Sequence, residues 1–359
     1  MTILFLGDLA VPVSQLVAEF EAQGYIGGTI AHQWSLTDND EMVKANRHLE
    51  LHGPSGHTDQ AQLNELLGPV REQITGIVTE FFPISRELIA ELPSLAFVAT
   101  VRSGTQNIDS VAAAERGIEI YNNPGRNAPV VADFTMALML AACRGLALAN
   151  RALSNGVWLP RSARRVFRTL ASTPVGLVGF GQVGYQVARL LRGFEGQVRV
   201  YDPYLRTEML GDVNVTVVES LQEVIEQSEL VSLHARVTPE TVGLIGAQEL
   251  RWLGPDGILV NTARAELIDE AALLAALREG SICGAALDVF SEEPLPLDHE
   301  LHRYDSALLT PHLAGGSRDA PLMAVRLLAT RLGAVTPPAL WAGNVAAQNQ
   351  STTNQQEGK

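Results

Sequence analysis

The chain of 359 residues has only two cysteines, Cys143 and Cys283, and both stand in apolar stretches. Two isolated thiols offer neither a disulfide framework nor metal-ligand spacing, and they suit a reducing compartment. Basic residues are also scarce: 26 Lys and Arg face 40 Asp and Glu, a net charge of −14. That balance repels phosphate backbones and anionic bilayers, so neither nucleic acid nor membrane is expected as a partner. No basic segment leads into the apolar run Ile3–Leu6, and Asp8 follows too soon for a secretory leader. The longest tempting apolar run, Phe134 to Cys143, stops at Arg144, too short to span a bilayer. A cytoplasmic location is expected.

What is abundant is apolar sequence cut into short runs. Apolar residues make up 46% of the chain, enough for large cores and against disorder of the whole. One core stops growing at about 250–300 residues, so two domains are expected. In the first third, Ile3–Leu6, Ile74–Thr79, Leu95–Val101 and Ile118–Asn122 read as strands, and Val13–Gln23, Ser85–Leu92 and Val111–Arg116 as helices. The polar stretch from Glu41 to Gly68 carries His48, His52 and His57 and gives one helix, Gln60–Leu67. Asn122-Asn123-Pro124-Gly125 then punctuates the chain. Asn127, as N-cap, and Pro129 open a long helix through Ala142 whose Ala- and Met-rich face should be buried.

From Pro174 six strands are expected: Val175–Val178, Val198–Tyr201, Leu230–His234, Ile258–Asn261, Gly284–Asp288 and Ala307–Thr310. Helices separate them, and a last helix covers Arg318–Leu332. Strand–helix alternation of this kind predicts an α/β fold with two doubly wound parallel-sheet domains. The Gln-, Asn-, Ser- and Thr-rich residues 341–359 read as a disordered tail.

The most informative short motif is Gly179-x-Gly181-x-x-Gly184, which follows the Val175–Val178 strand and opens a helix. Its first glycine makes the tight turn, the second admits a pyrophosphate to the backbone, and the third lets helix pack on strand. Gln182 and Val183 lie at the helix start, where unpaired N–H groups face the anion. Asp202 ends the next strand, placed to accept from a ribose hydroxyl or simply to close a turn before Pro203. A 2′-phosphate beside that carboxylate would juxtapose like charges, which favours NAD over NADP.

Three further groups stand just after strands of the same unit, where open α/β sheets place ligands. Arg264 follows Asn261-Thr262-Ala263, and its planar fork suits bidentate capture of a carboxylate. Asp288 begins the acidic turn that contains Glu293-Pro294, and His312 follows Thr310-Pro311. As a set, Arg264 would fix an anionic substrate, His312 would exchange the hydroxyl proton during hydride transfer, and Glu293 would hold the imidazole.

With these motifs the chain resembles the D-isomer-specific 2-hydroxyacid dehydrogenases. The resemblance runs from about Ile74 to Met323 and rests on several ordered stretches. They are Asn123-Pro124-Gly125-Arg126-Asn127-Ala128, Val131-Ala132-Asp133-Phe134, the glycine motif with Asp202, Leu233-His234 with Thr238-Pro239-Glu240-Thr241, Asn261-Thr262-Ala263-Arg264, Asp288-Val289-Phe290 with Glu293-Pro294, and Thr310-Pro311-His312.

The resemblance implies a Rossmann-type NAD-binding domain, residues 124–312, inserted into a flavodoxin-like substrate domain made of residues 1–123 and 313–340, with the active site in the cleft between. It implies Arg264, Glu293 and His312 as catalytic residues. The implied NAD-binding set is Gly179, Gly181, Gln182, Val183, Gly184, Asp202, Thr241, Thr262 and Asp288, and the implied substrate loop includes Arg102, Ser103 and Gly104. It also implies a small-molecule 2-hydroxy or 2-oxo acid as substrate and a homodimer through the nucleotide domain.

Two departures stand out. Ala265 occupies a position that is often Gly in the family, and Gly104-Thr105-Gln106-Asn107 replaces a common Gly-x-Asp-Asn. Other residues could choose the substrate: Arg102, the pair Phe81-Phe82, and Arg161, which with Arg164, Arg165 and Arg168 lines one face at helical spacing. His299 and His302 lack a third ligand for a metal, so no metal site is expected. Rival readings are a phosphite- or phosphate-ester-linked dehydrogenase, disfavoured by Ser103 where phosphite-oxidising relatives carry Lys, and a non-catalytic NAD-sensing module, disfavoured by the complete Arg, Glu and His set.

Overall fold

The computed structural model describes residues 2–34, 36, 38–54, 67–68, 70–160 and 167–335. The chain forms two compact units, Met1–Arg126 together with the segment from Arg318 onward, and Asn127–Ser317.

The first unit is built on β1 (Thr2–Gly7), α1 (Val13–Ala22), β2 (Gly28–Gln33), α2 (Asn39–His52), β3 (Ile74–Thr79), α3 (Arg86–Glu91), β4 (Phe97–Thr100), α4 (Ser110–Glu115) and β5 (Glu119–Tyr121). Its strands pair in parallel in the order β2-β1-β3-β4-β5, the flavodoxin-like winding, which reverses between β1 and β3. Ile3, Leu4, Phe5 and Leu6 are all buried because helices cover both faces of the sheet. Short polar side chains start the helices: Asp38 accepts from Glu41 N–H, Ser85 from Leu88 N–H and Asp109 from Ala112 N–H. The returning helix Ala320–Val335 inserts Ala324, Val325, Leu328 and Leu332 into the core around Phe5 and Phe20. Those two rings meet edge to face, 5.1 Å between centroids.

The second unit runs α5 (Ala128–Arg144), α6 (Leu146–Ser154), β6 (Val175–Val178), α7 (Gln182–Leu191), β7 (Val198–Tyr201), β8 (Thr216–Val217), α8 (Leu221–Glu226), β9 (Leu230–Leu233), α9 (Ala247–Leu253), β10 (Ile258–Asn261), α10 (Glu270–Glu279), β11 (Gly284–Leu287) and β12 (Ala307–Leu309). Its seven parallel strands are ordered β12-β11-β10-β9-β6-β7-β8, a Rossmann winding that reverses between β6 and β9. Ala132, Met136 and Met139 lie on the buried face of α5, and Gly145 ends that helix in the left-handed region, φ 58°. Among the described residues no single helix is long and apolar enough to cross a membrane; one bent pair, α5 with α6, meets those criteria only in combination.

Several expectations need correction. The seventh strand, β8, and the edge strand β2 are exposed and short or polar, so they lack the apolar run by which the others were read. The polar stretch after Glu41 contains α2, whereas the helix expected at Gln60–Leu67 falls on residues 60–66, outside the described residues. So do His57, Arg161, Arg164, Arg165 and the tail.

Asn127 precedes α5 without a side-chain cap, its backbone being already helical at φ −92° and ψ −1°. The passage between units falls after Arg126 rather than after Asn123. Asn123 binds Ala324 O at 2.8 Å and Arg126 binds Glu80 at 2.6 Å, and both contacts lie inside the first unit. The return falls after Ser317 rather than after His312, because Leu313 and Ala314 donate their N–H groups to Asp288 at 2.9 and 2.8 Å.

Candidate active site

The glycine motif has the geometry its spacing predicts. Gly179 sits at φ 92°, and a Cβ there would fall 2.5 Å from Ala235 N. A Cβ at Gly184 would fall 2.5 Å from Gly179 O, so only glycine lets α7 pack this close to the turn. At Gly181 a Cβ would meet no atom within 4 Å. The chain leaves open space at the one glycine that should face a pyrophosphate. Gly181 starts α7 with no side-chain cap, and no acid stands in the first turn, where Gln182 and Val183 lie, so its N–H groups remain available to an anion. These residues fit a dinucleotide.

Asp202 combines two roles. Its Oδ2 accepts Phe180 N–H at 2.7 Å, bracing the glycine turn, and its Oδ1 accepts Tyr204 N–H at 2.8 Å. The strand-end turn is real, and it fixes the carboxylate beside the motif. Thr262 Oγ1 is 2.7 Å from Thr135 Oγ1, a buried link between the β10 loop and α5. Thr241 closes its own loop, donating to Arg236 O at 2.6 Å and accepting from Thr238 N–H at 2.8 Å.

A cavity of about 480 Å³ is lined by Val183, Thr262, Arg264 and His234, with Val131 and Ala235 to Val237; Thr241 is not among its walls. The His234 imidazole was not singled out as a site residue from sequence. Among the described residues neither of its buried ring nitrogens has a partner, and burial pushes its pKa down to about 4, so the ring is neutral at pH 7.

Arg264 is exposed after β10, and Asn261 shapes its loop by accepting from Ala263 N–H at 3.0 Å and donating to Arg264 O at 2.8 Å. Its Nη1 donates to Ala263 O at 2.6 Å. Ala265 does not have positive φ, so the missing glycine there carries no backbone cost.

His312 Nδ1 lies 2.7 Å from Glu293 Oε2, and Phe290 N–H donates to Glu293 Oε1 at 3.1 Å. The hydrogen bond from His312, then that from Phe290, and finally the charges of His312 and Arg264 hold the Glu293 carboxyl below its ordinary pKa. The three residues expected to act as a set therefore interact within one unit.

His312 itself adopts φ 51°, a left-handed conformation that costs an ordinary residue roughly 1–2 kcal/mol. The loop holds it there from below. Asp288 is fully buried, with Oδ1 accepting from Thr310 Oγ1 at 2.7 Å and from Leu313 N–H, and Oδ2 accepting from Ala314 N–H. Its observed contacts brace the histidine loop. Beside the pair lies a second cavity of about 560 Å³ walled by Phe290, Pro294, Leu295, Leu309, Pro311 and His302.

In the first unit Arg102, Ser103 and Gly104 follow β4. Arg102 stacks on Phe81, 4.3 Å from the ring centroid. Ser103 Oγ donates to Asn123 O at 3.2 Å and Asn122 Nδ2 to Ser103 O at 2.6 Å, which pins the loop. Phe82 is core, against Trp34. Sequence reading missed two acids at the ends of β1 and β3, Asp8 and Glu80, both buried. Asp8 accepts from the N–H groups of Ala10, Val11 and Phe81. Burial and then the charge of Glu80 nevertheless push its carboxyl up to about 7.

Two parallel α/β units, one with a glycine turn that fits a dinucleotide and with Arg264, Glu293 and His312 interacting, fit an NAD-linked oxidoreductase. Residues 136–314 match the profile of the D-isomer specific 2-hydroxyacid dehydrogenase, NAD binding domain. The chain is 37% identical over 264 residues to the glyoxylate reductase of Korarchaeum cryptofilum, covering 71% of this chain and 79% of that one. It is 34% identical over 268 residues to the D-3-phosphoglycerate dehydrogenase of Methanocaldococcus jannaschii, covering 75% of this chain and 51% of that longer protein. A solved 2-hydroxyacid dehydrogenase from Ketogulonicigenium vulgare matches with a TM-score of 0.58 at 28% identity, covering 93% of this chain and 94% of that one. The chain belongs to the D-isomer specific 2-hydroxyacid dehydrogenase family.

Proposed function

We propose that the protein interconverts a D-2-hydroxy acid and its 2-oxo acid with NAD, through a His312–Glu293 acid–base pair and an Arg264 carboxylate clamp. The observation that carries this reading is the 2.7 Å contact between His312 Nδ1 and Glu293 Oε2, with the Arg264 charge acting on the same carboxylate. Gly179, Gly181, Gln182, Val183 and Gly184 would hold the pyrophosphate and Asp202 the ribose. Thr262 and Asp288 would support the nicotinamide end, and Thr241 would shape the loop beside it. The bound nicotinamide supplies or accepts the hydride at C4.

In the reduction direction Arg264 fixes the substrate carboxylate by its fork. With Nδ1 engaged by Glu293, the free Nε2 of His312 is the atom that gives the proton to the carbonyl oxygen. Ionised Glu293 orients the ring and supports its positive charge. Arg102, Ser103 and Gly104 form the substrate-binding loop in this reading. Leu146, Leu153, Val157 and Trp158 are all exposed, which supports a homodimer that covers this surface. The scarcity of cysteine supports a cytoplasmic setting.

The test is oxidation of NADH by a panel of 2-oxo acids that includes glyoxylate, hydroxypyruvate, phosphorylated three-carbon acids and sugar acids. Turnover on at least one acid, lost in His312→Gln, is expected. Tight NADH binding with no turnover on any of them would refute the reading.

A further inference from the structure

Glu293 sits on a loop running from Asp288 to His299, and two positions flanking it share one anchor. Glu270, the first residue of α10, accepts from Ser291 Oγ at 2.6 Å through Oε2, and its Oε1 lies 3.3 Å from His299 Nε2. On the other side of the ring, His299 Nδ1 accepts Leu301 N–H at 3.3 Å. An accepting Nδ1 carries no proton, so the proton of the neutral ring is on Nε2 and is donated to Glu270. A single carboxylate therefore straps positions 291 and 299, and Glu293 lies between them. Ser291 also adjoins Phe290, whose N–H holds Glu293 Oε1. Glu270 in turn is fixed by the start of its helix, where Asp269 accepts Ala272 N–H at 3.1 Å.

We propose that Glu270 is a positioning residue for the acid–base pair, clamping the Glu293 loop at Ser291 and His299 so that Glu293 stays on His312. This inference rests on the reading of His312 and Glu293 as the proton-transfer pair. Glu270 touches neither, and its effect passes through Ser291, Phe290 N–H and Glu293. Loosening the strap lets the loop drift, and misplacement of a catalytic group lowers the chemical step more than substrate binding. The charged neighbours that set the Glu293 carboxyl are His312 and Arg264, and neither is altered by changes at Glu270 or Ser291.

The experiment compares wild type with Glu270→Ala, Ser291→Ala and Ser291→Thr, and uses Glu279→Gln at the far end of α10 as control. Two readouts are taken: the titration of the Glu293 carboxyl by carbon NMR in the protein without added ligand, and kcat and KM for the best 2-oxo acid. Glu270→Ala and Ser291→Ala should move the Glu293 titration upward, toward the ordinary carboxylate range. Ser291→Ala should lower kcat about tenfold, the worth of one lost charge-assisted hydrogen bond, and Glu270→Ala, which loses the contacts to both Ser291 and His299, at least as much, with KM nearly unchanged. Ser291→Thr keeps the hydroxyl and should restore both values, and Glu279→Gln should change neither.

An unmoved Glu293 titration in both alanine variants would overturn the proposal, whether activity is kept or is lost merely through a lower melting temperature. If wild type reduces no 2-oxo acid, the acid–base reading fails. The carboxyl titration still decides the strap by itself.

Discussion

Replacing each motif glycine by alanine separates cofactor contact from packing. At Gly181 the new methyl meets nothing within 4 Å, and φ of −78° suits alanine. The folding cost is only the poorer N-cap, about 0.5–1 kcal/mol. At Gly184 the methyl falls 2.5 Å from the backbone oxygen of Gly179, which cannot rotate away. The helix must shift, and overpacking of this kind costs about 1–3 kcal/mol. Cofactor affinity should follow a different order from stability. In the proposed cofactor site the Gly181 methyl would occupy space the pyrophosphate needs, so Gly181→Ala should weaken NADH binding by at least about tenfold, or 1.4 kcal/mol, while barely moving the unfolding midpoint. Gly184→Ala should lose both. The assays are urea unfolding of the ligand-free protein and fluorescence titration with NADH. Wild-type NADH affinity in Gly181→Ala, or a greater stability loss there than in Gly184→Ala, would refute the assignment of the site.

Further outcomes follow from the same structure. His312→Gln should lower kcat by about 10²–10⁴ with NADH binding intact, measured by steady-state kinetics and cofactor titration. It also removes the largest cause of the depressed Glu293 pKa, so that carboxyl should titrate higher by NMR. In wild type the depressed group is ionised above its lowered pKa and loses its support of His312 only as pH falls through it. The Glu293 contribution to activity should therefore persist below the ordinary carboxylate range in a pH–rate profile. For Asp8 the sign is opposite: its carboxyl is raised to about 7, so its contribution to stability is whole below the unfolded value and is lost as pH rises through 7. The urea midpoint of the first unit should be lower at pH 8 than at pH 5, and Asp8→Asn should flatten that difference. Finally, Asp202 beside the glycine turn should make NADPH at least about tenfold poorer than NADH in kcat/KM.

The parts of the fold legible in the sequence are those with continuous apolar runs. β1, β6, β9 and β10 are buried on both faces, so their run lengths alone mark them as parallel strands. β2 and β8 are edge strands with exposed residues and leave no such run, and α6 buries none of its side chains. The residues proposed to react were legible because strand ends in doubly wound sheets collect ligands. The same rule, applied to the first unit, would have singled out Asp8 and Glu80, which directly follow β1 and β3. What local sequence does not encode is long-range bracing. The bond from His312 to Glu293, the triple acceptance by Asp288 and the bond from Phe180 N–H to Asp202 each join segments about 20 residues apart or more. Glu270 is silent in the same way: it reads as an ordinary acid in the first turn of a helix, and only the tertiary structure shows it spanning the Glu293 loop.

In the proposed reaction hydride passes to C2 of a 2-oxo acid and His312 gives the proton. The most direct test incubates the protein with the best 2-oxo acid that carries a side chain, since glyoxylate gives an achiral product, and with NADH carrying two deuteriums at C4, then analyses the product by mass spectrometry and chiral chromatography. A D-2-hydroxy acid carrying one deuterium at C2 is expected from wild type, with its formation suppressed in His312→Gln. An L product, a product without deuterium, or equal formation by His312→Gln would contradict that reaction.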